Sequence, residues 1–161
     1  MSRWLERSDV PRGADYDARW EHLAASGANV HGEADLVMDL LGSRGAGAAG
    51  PWSVLDAGCG TGRVAVELAR RGADVVGLDI DPAMLARART KAPSLSWIEG
   101  DLATADLRHA DGRRRRFDLV AMPGNVMIFV APGTEGAVLR RMAEHLVPAG
   151  LLVAEIGRAH V

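Results

Sequence analysis

The chain has 161 residues, 48% hydrophobic and 25% charged, the size and balance of a single globular domain with one core. With 19 Lys and Arg against 21 Asp and Glu, the formal charge is −2, so no whole-chain field attracts nucleic acid or an anionic membrane surface. The single cysteine, Cys59, excludes an internal disulfide and a cysteine-built zinc cluster, and 4% aromatic residues are too few for the stacking platforms of single-strand nucleic-acid binders.

From Met1 to Pro11 charged residues alternate with single apolar ones, without the apolar stretch of a signal peptide. No later run approaches membrane-spanning length, and a cytoplasmic protein is expected. Asp15 to Ala25 and Glu33 to Leu41 have helical period, the second with Leu36, Val37, Leu40 and Leu41 as one apolar stripe. The segment 42–50 (GSRGAGAAG) has four glycines and no apolar residue larger than alanine, which predicts a flexible connector. Residues 1–50 are therefore expected to form a helical cap and connector, and 51–155 the core.

Trp52 to Ala57 predicts a strand, followed by a glycine turn and a helix from Arg63 to Arg71 that Gly72 stops. Asp74 to Asp79 predicts a second strand, and Asp81 with Pro82 caps a helix running to about Ala92. Leu95 to Glu99, Phe117 to Met122 and Leu151 to Ile156 predict three more strands, with a helix from Thr134 to Leu146 before the last. Strands apolar at nearly every position, alternating with helices, imply an α/β fold: a doubly wound, mostly parallel sheet with helices on both faces. In such sheets ligands bind beyond the carboxyl ends of the strands.

The segment Asp56-Ala57-Gly58-Cys59-Gly60-Thr61-Gly62 lies at such an end, with the spacing D-x-G-x-G-x-G. Glycines let the main chain turn sharply and approach a ligand, and the following helix start offers free N–H groups. The dinucleotide fingerprint G-x-G-x-x-G is not met, because Arg63 stands where glycine or alanine belongs. Asp79 and Asp101 stand at the next two strand ends. Asp79 is placed to accept both hydroxyls of a ribose, and Asp101 to accept from an adenine amino group. Lys91 is the chain's single lysine, so no phosphate lysine accompanies the turn. The acids favour a ligand with positive charge near the turn, a description that S-adenosyl-L-methionine meets with its ammonium and sulfonium groups.

The stretch VLDAGCGTGRVAVELARRGADVVGLDIDPAML, Val54 to Leu85, closely resembles the cofactor segment of class I S-adenosylmethionine-dependent methyltransferases. The resemblance extends through Glu99-Gly100-Asp101-Leu102, the Phe117 to Val120 strand and Pro148 to Val153. It implies a Rossmann-like methyltransferase fold acting on an unidentified, small-molecule acceptor. It also implies that Gly58, Gly60 and Gly62 wrap the methionyl part, with Asp56 orienting the turn and meeting the amino group. Asp79 would hold the ribose, Ile80 pack on adenine, and Asp101 with Leu102 flank the base.

Methyl transfer asks the protein mainly for alignment and exclusion of water, and no catalytic base is assigned. On the acceptor side the family's amino-directed (D/N/S)-P-P-(Y/F/W) pattern is absent; Met122-Pro123-Gly124-Asn125-Val126 stands there. Asn125 is a candidate to orient the acceptor, or a turn-stabilising residue. Tyr16 and Trp20, four apart on the first helix, are candidates for a lid over the cofactor, or for ordinary packing. His22, His31, His109 and His145 lack the mutual spacing of a metal site, and surface or capping positions are expected for each; no metal is predicted. Arg113 to Arg116 is an argument for RNA but sits between Asp111 and Asp118 and reads as a solvated loop. Cys59 reads as a small buried residue without a base to activate it.

The final residues, Ile156 to Val161, match the translated opening of a common sequencing adapter and are expected to be a non-native tail. The family's last strands would then be missing. A nicotinamide-dependent oxidoreductase, a non-catalytic cofactor-binding domain and an RNA methyltransferase remain as alternatives, and nucleic acid or membrane partners are not expected.

Overall fold

A computed structural model describes residues 1–45 and 51–157. Most of the connector expected at 42–50, and residues 158–161 of the expected tail, fall outside them. The elements in order are α1 (Arg3–Glu6), α2 (Gly13–Ala25), α3 (Gly32–Gly42), β1 (Ser53–Ala57), α4 (Arg63–Arg70) and β2 (Asp74–Asp79). There follow α5 (Pro82–Lys91), β3 (Ser96–Glu99), β4 (Phe117–Met122), α6 (Val126–Phe129), α7 (Glu135–Ala143) and β5 (Leu146–Ala154). The five strands form one sheet in the order β3-β2-β1-β4-β5, every neighbouring pair parallel.

Alternation along the strands feeds two cores. Leu55, Val76, Val120 and Met122 point to the face covered by α6, α7 and the segment around Leu102 and Leu107. Val54, Val75, Leu119 and Ala121 point to the opposite face, against α3 and α4. Burial on both faces is why these strands are apolar at consecutive positions. The order reverses at β1, with β2 on one side and β4 on the other, so the carboxyl end of β1 opens into the crevice between crossovers.

The structure corrects several expectations. The buried stripe of α3 is Ala34, Val37 and Leu41, while Leu36 is 50% exposed, because the helix leans on α4 by its other edge. Three helices precede β1, since Arg3–Glu6 forms a short turn capped by the Ser2 hydroxyl. The helix expected to reach Leu146 ends at Ala143, because Phe117 N–H donates to His145 O and draws the chain into the sheet. β5 accordingly starts at Leu146, loops out through Ala149 at φ 61°, and resumes regular pairing at Leu151 opposite Leu119.

His145 is fully buried, not a surface group. Its Nε2 accepts from Leu107 N–H at 3.0 Å while Nδ1 faces Arg141 O at 2.8 Å, a partner that can only accept, so the ring is neutral with its proton on Nδ1. Burial, above all, holds its pKa below the ordinary histidine value. The arginine run is spent on neighbours: Arg113 pairs with Asp111, Arg114 with Asp106 and Glu144, and Arg116 donates to Leu146 O. Among the described residues no helix is long and apolar enough to cross a membrane.

Trp97 on β3 lies over two glycines. A Cβ on Gly62 would come 2.5 Å from its ring, and one on Gly77 2.3 Å, while the indole N–H donates to Ala92 O at 2.8 Å. Gly62 also holds φ 81°, a region unfavourable to other residues. Gly72 has φ 95° with open space around it, so it isolates the backbone cost. Gly62→Ala is expected to destabilise the protein by about 1–3 kcal/mol more than Gly72→Ala, the usual range for overpacking, as read by urea unfolding.

Candidate functional site

A cleft of about 870 Å³, counted out to its open mouth, lies at the carboxyl ends of the strands. Its floor is the turn after β1. Gly58 and Cys59 both donate their amides to Leu78 O, at 2.7 and 3.1 Å, which clamps the turn against the end of β2. Gly58 at φ 84° and Gly60 at φ 54° present bare backbone to the cleft, and a Cβ on Gly58 would strike Val126 at 2.5 Å. Three acids line the same cleft: Asp56 from β1, Asp79 from β2 and Asp101 after β3, with Ile80 and Leu102 beside the last two.

Each acid is also built into the backbone. Asp56 is fully buried, and its Oδ2 accepts from Ala65 N–H at 3.0 Å, serving the first turn of α4 that Gly62 cannot cap. Its Oδ1 is buried and has no partner among the described residues. Asp79 accepts from Gly60 N–H at 2.7 Å through Oδ2 and from Asp81 N–H at 2.9 Å through Oδ1. Asp101 Oδ1 accepts from Ala103 N–H at 2.8 Å. A carboxylate oxygen has two lone-pair sites, so these bonds orient the acids and leave capacity for ligand hydroxyl or amino groups.

The other wall comes from the loop after β4 and from the N-terminal segment. Pro123, Gly124, Val126 and Phe129 line it on one side, Ser2, Trp4 and Tyr16 on the other. Trp4 meets Phe129 edge to face at 5.3 Å, its indole N–H donates to Asp81 Oδ2 at 2.9 Å, and Ser2 Oγ donates to Phe129 O at 2.8 Å. This segment was not legible as part of the site; the tryptophan in a short charged stretch was the available signal.

Of the residues singled out from the sequence, Asp56, Gly58, Gly60, Asp79, Ile80, Asp101, Leu102 and Tyr16 line the cleft. Gly62 stands off it, under Trp97. Trp20 also stands off it, with its ring 3.7 Å from the Arg63 guanidinium. Asn125, at φ 60°, is not among the residues lining the cleft, and its Oδ1 accepts from Gly157 N–H. Arg63, read only as a break in a fingerprint, lines the cleft.

Burial pushes the Asp56 carboxyl up to about 7, against the Ala65 amide and Arg63, which lower it; Asp79 is raised too, chiefly by burial. Burial pushes the Cys59 thiol far up as well, so no thiolate faces the cleft.

A carboxyl whose folded pKa is raised ionises first in the unfolded chain, so it holds fewer protons there and stability falls with rising pH. The window for Asp56 runs from about pH 4, its unfolded value, to about 7. Asp56→Asn keeps an acceptor for Ala65 and removes the titration. Its stability relative to the unaltered protein is expected to rise by a few kcal/mol across that window and stay level above it, measured by urea unfolding at stepped pH.

Residues 54–150 match the family described as a methyltransferase domain. The chain is 38% identical over 114 residues to magnesium-protoporphyrin O-methyltransferase of Rhodobacter capsulatus, covering 68% of this chain and 43% of the relative. A TehB-like S-adenosylmethionine-dependent methyltransferase from Corynebacterium glutamicum superposes with a TM-score of 0.75 at 33% identity, covering 89% of this chain and 72% of that one. An amino pentose methyltransferase from Micromonospora echinaspora, solved with S-adenosylmethionine bound, superposes with a TM-score of 0.75 at 31% identity, covering 94% and 60%. The chain spans about half the length of the first of its sequence relatives. With the glycine turn, the three strand-end acids and the matched residues in agreement, the chain belongs to the class I S-adenosylmethionine-dependent methyltransferases.

Proposed function

We propose that the cleft binds S-adenosyl-L-methionine and that the protein transfers its methyl group to a small-molecule acceptor. The observation that carries this is the unpartnered Oδ1 of Asp56, buried at the cleft beside backbone that a Cβ would fill. An ammonium group supplies the missing partner and compensates the buried charge. Gly58 and Gly60 lie along the methionyl part, with Gly62 shaping the turn from below. Asp79 takes the ribose hydroxyls, Ile80 packs on the adenine, and Asp101 with Leu102 borders the base.

When bound, the cofactor supplies a methyl carbon on positive sulfur; the C–S bond breaks as the acceptor bonds to carbon, and the electron pair stays on sulfur. The chain's part is alignment and exclusion of water. Trp4 and Phe129, packed edge to face, line the cleft with apolar surface, and Val126 lies over Gly58. Pro123, Val126 and Phe129 offer an apolar wall to the acceptor. Tyr16 reaches the cleft itself, Trp20 acts through Arg63, and Asn125 shapes the loop behind the wall. Residues 1–50 serve as a cap on a core of 51–155. The named activities of two relatives, on a magnesium porphyrin and on an amino pentose, support a small-molecule acceptor.

Calorimetry with S-adenosylhomocysteine tests the reading. Binding is expected, and Asp79→Ala is expected to weaken it by about ten- to a hundredfold, the scale of one or two charge-assisted hydrogen bonds. Tight binding of NADH with no response to S-adenosylhomocysteine would overturn it.

A further inference from the structure

His145 joins three parts of the fold at the amino edge of the sheet. Its main-chain O accepts from Phe117 N–H at 2.7 Å, its ring Nε2 accepts from Leu107 N–H at 3.0 Å, and its Nδ1 faces Arg141 O at 2.8 Å. The start of β4, the crossover from β3 to β4 and the end of α7 thus meet on one residue. That crossover, residues 100–116, leaves the cleft at Asp101 and Leu102 and reaches the opposite edge of the sheet at Phe117. Leu102 and Leu107 lie in one apolar cluster with Phe117, Val138 and Met142. Leu107 O also accepts from Arg115 N–H at 2.8 Å, so a pin at Leu107 holds both limbs of the crossover.

The ring is the part of this joint that can change. Neutral, it accepts at Nε2 and donates at Nδ1; protonated, it has two donors, and Leu107 N–H loses its acceptor. The acids beside it are already paired. Asp106 accepts from Arg108 Nε at 2.8 Å and from Arg114 Nε at 3.0 Å, and Glu144 accepts from Arg114 Nη1 at 2.7 Å and Arg141 Nη1 at 2.9 Å. Arg116, next to β4, donates to Leu146 O. A buried amide without an acceptor facing a buried cation is a costly arrangement, and the relief open to it is for the crossover to move away into water.

We propose that His145 is a pH-sensitive latch: a proton taken from solvent at Nε2 breaks the bond to Leu107 N–H, releases the crossover and loosens the cleft wall at Asp101 and Leu102. The effect on ligand binding rests on the cofactor reading above; the latch itself does not. Burial, above all, holds the folded ring below the ordinary value of 6.5; the Arg114 and Arg141 charges add to this, while the Arg141 carbonyl and the Asp106 charge oppose it. The folded chain therefore binds fewer protons here than the unfolded one. The stabilisation is complete above pH 6.5 and is lost as pH falls toward the folded value, the opposite sign from Asp56.

The test is amide hydrogen exchange on the full chain, read residue by residue by NMR and corrected for the intrinsic pH dependence of exchange. Between about pH 7.5 and about pH 5, protection at Leu107 is expected to fall by about ten- to a hundredfold, the scale of one buried hydrogen bond, while Leu55 on β1 keeps its own. His145→Gln, which offers an acceptor near Nε2 and does not titrate, is expected to abolish the step. Should that variant not fold, the ring nitrogen signals of His145 in the unaltered chain carry the test, their titration being expected to coincide with the loss at Leu107. Unchanged protection at Leu107, a loss shared equally by Leu55, a step that persists in His145→Gln, or a ring titration that does not coincide with the loss each overturns the latch. Calorimetry with S-adenosylhomocysteine reads the link to the cleft: affinity is expected to fall further in acid for the unaltered chain than for His145→Gln, and an equal fall overturns that link. No binding at either pH removes the cofactor reading, and the exchange measurements still decide the latch.

Discussion

The carboxyl of Asp56 is the fixed point of this molecule. It sits at the end of the central strand, fully buried, and its bond to Ala65 N–H supplies the cap that α4 otherwise lacks. A helix normally finds that acceptor in its own N-cap side chain. Here the N-cap is Gly62, required to be glycine by its left-handed backbone and by the Trp97 ring packed against it. Moving the acceptor from the turn to the strand frees the turn to be all backbone on its inner side. The cost is a desolvated acid with one unpaired oxygen. That cost is borne at the point where a cation can relieve it, a common relation between strain and function.

The N-terminal helices are tied to the site more tightly than a mobile cap would require. Asp17 on α2 is buried and accepts from Thr61 Oγ1 at 2.6 Å, from Arg87 and from Lys91, while Lys91 also donates to Thr61 O at 3.1 Å. Burial would raise the Asp17 pKa, but these donors outweigh it and hold the group below the ordinary carboxylate value. The single lysine of the chain thus holds a helix to the glycine turn. Buried ion pairs of this kind are weak evidence for net stability, because desolvation offsets much of the attraction. Their directional bonds still fix where α2 lies, and α2 carries Tyr16 to the cleft and Trp20 to Arg63. A second tether runs from Trp4 to Asp81, the residue that caps α5 through Ala83 and Met84 N–H.

The core of the fold was legible because its signals are local. Trp52 to Ala57, Asp74 to Asp79 and Phe117 to Met122 are apolar runs bounded by turns, and the observed strands keep those bounds nearly unchanged. Asp81-Pro82 opened a helix where the dipeptide says it should. What was not legible depends on residues distant in sequence. Nothing near His145 announces that Leu107 N–H will reach its ring, and nothing near Leu36 says which edge of α3 meets α4. The same holds at the site: Asp56, Asp79 and Asp101 stood out by their place at strand ends, whereas Arg63 is made a cleft residue by Glu33 and Trp20, both on other helices. Gly62 shows the same limit from the other side, since its spacing does not announce that an indole lies against it.

Charge decides between ligands that shape alone admits. The cleft carries three carboxyl groups, and the Arg63 charge beside them is already matched by Glu33. At about 4 Å two like charges repel by roughly 1 kcal/mol in water and by several times that near a protein surface. A pyrophosphate placed on the turn would meet that repulsion from Asp56 and Asp79 together, without the compensating lysine, which is committed to Asp17 and Thr61. An ammonium or sulfonium reverses every sign. Burial, above all, raises the pKa of both Asp56 and Asp79, with the Asp79 charge adding to the rise at Asp56 and the Asp81 charge to that at Asp79. The acids stand together because the parallel sheet brings successive strand ends to one edge, and their charge is what would set a cationic ligand apart from a phosphate there.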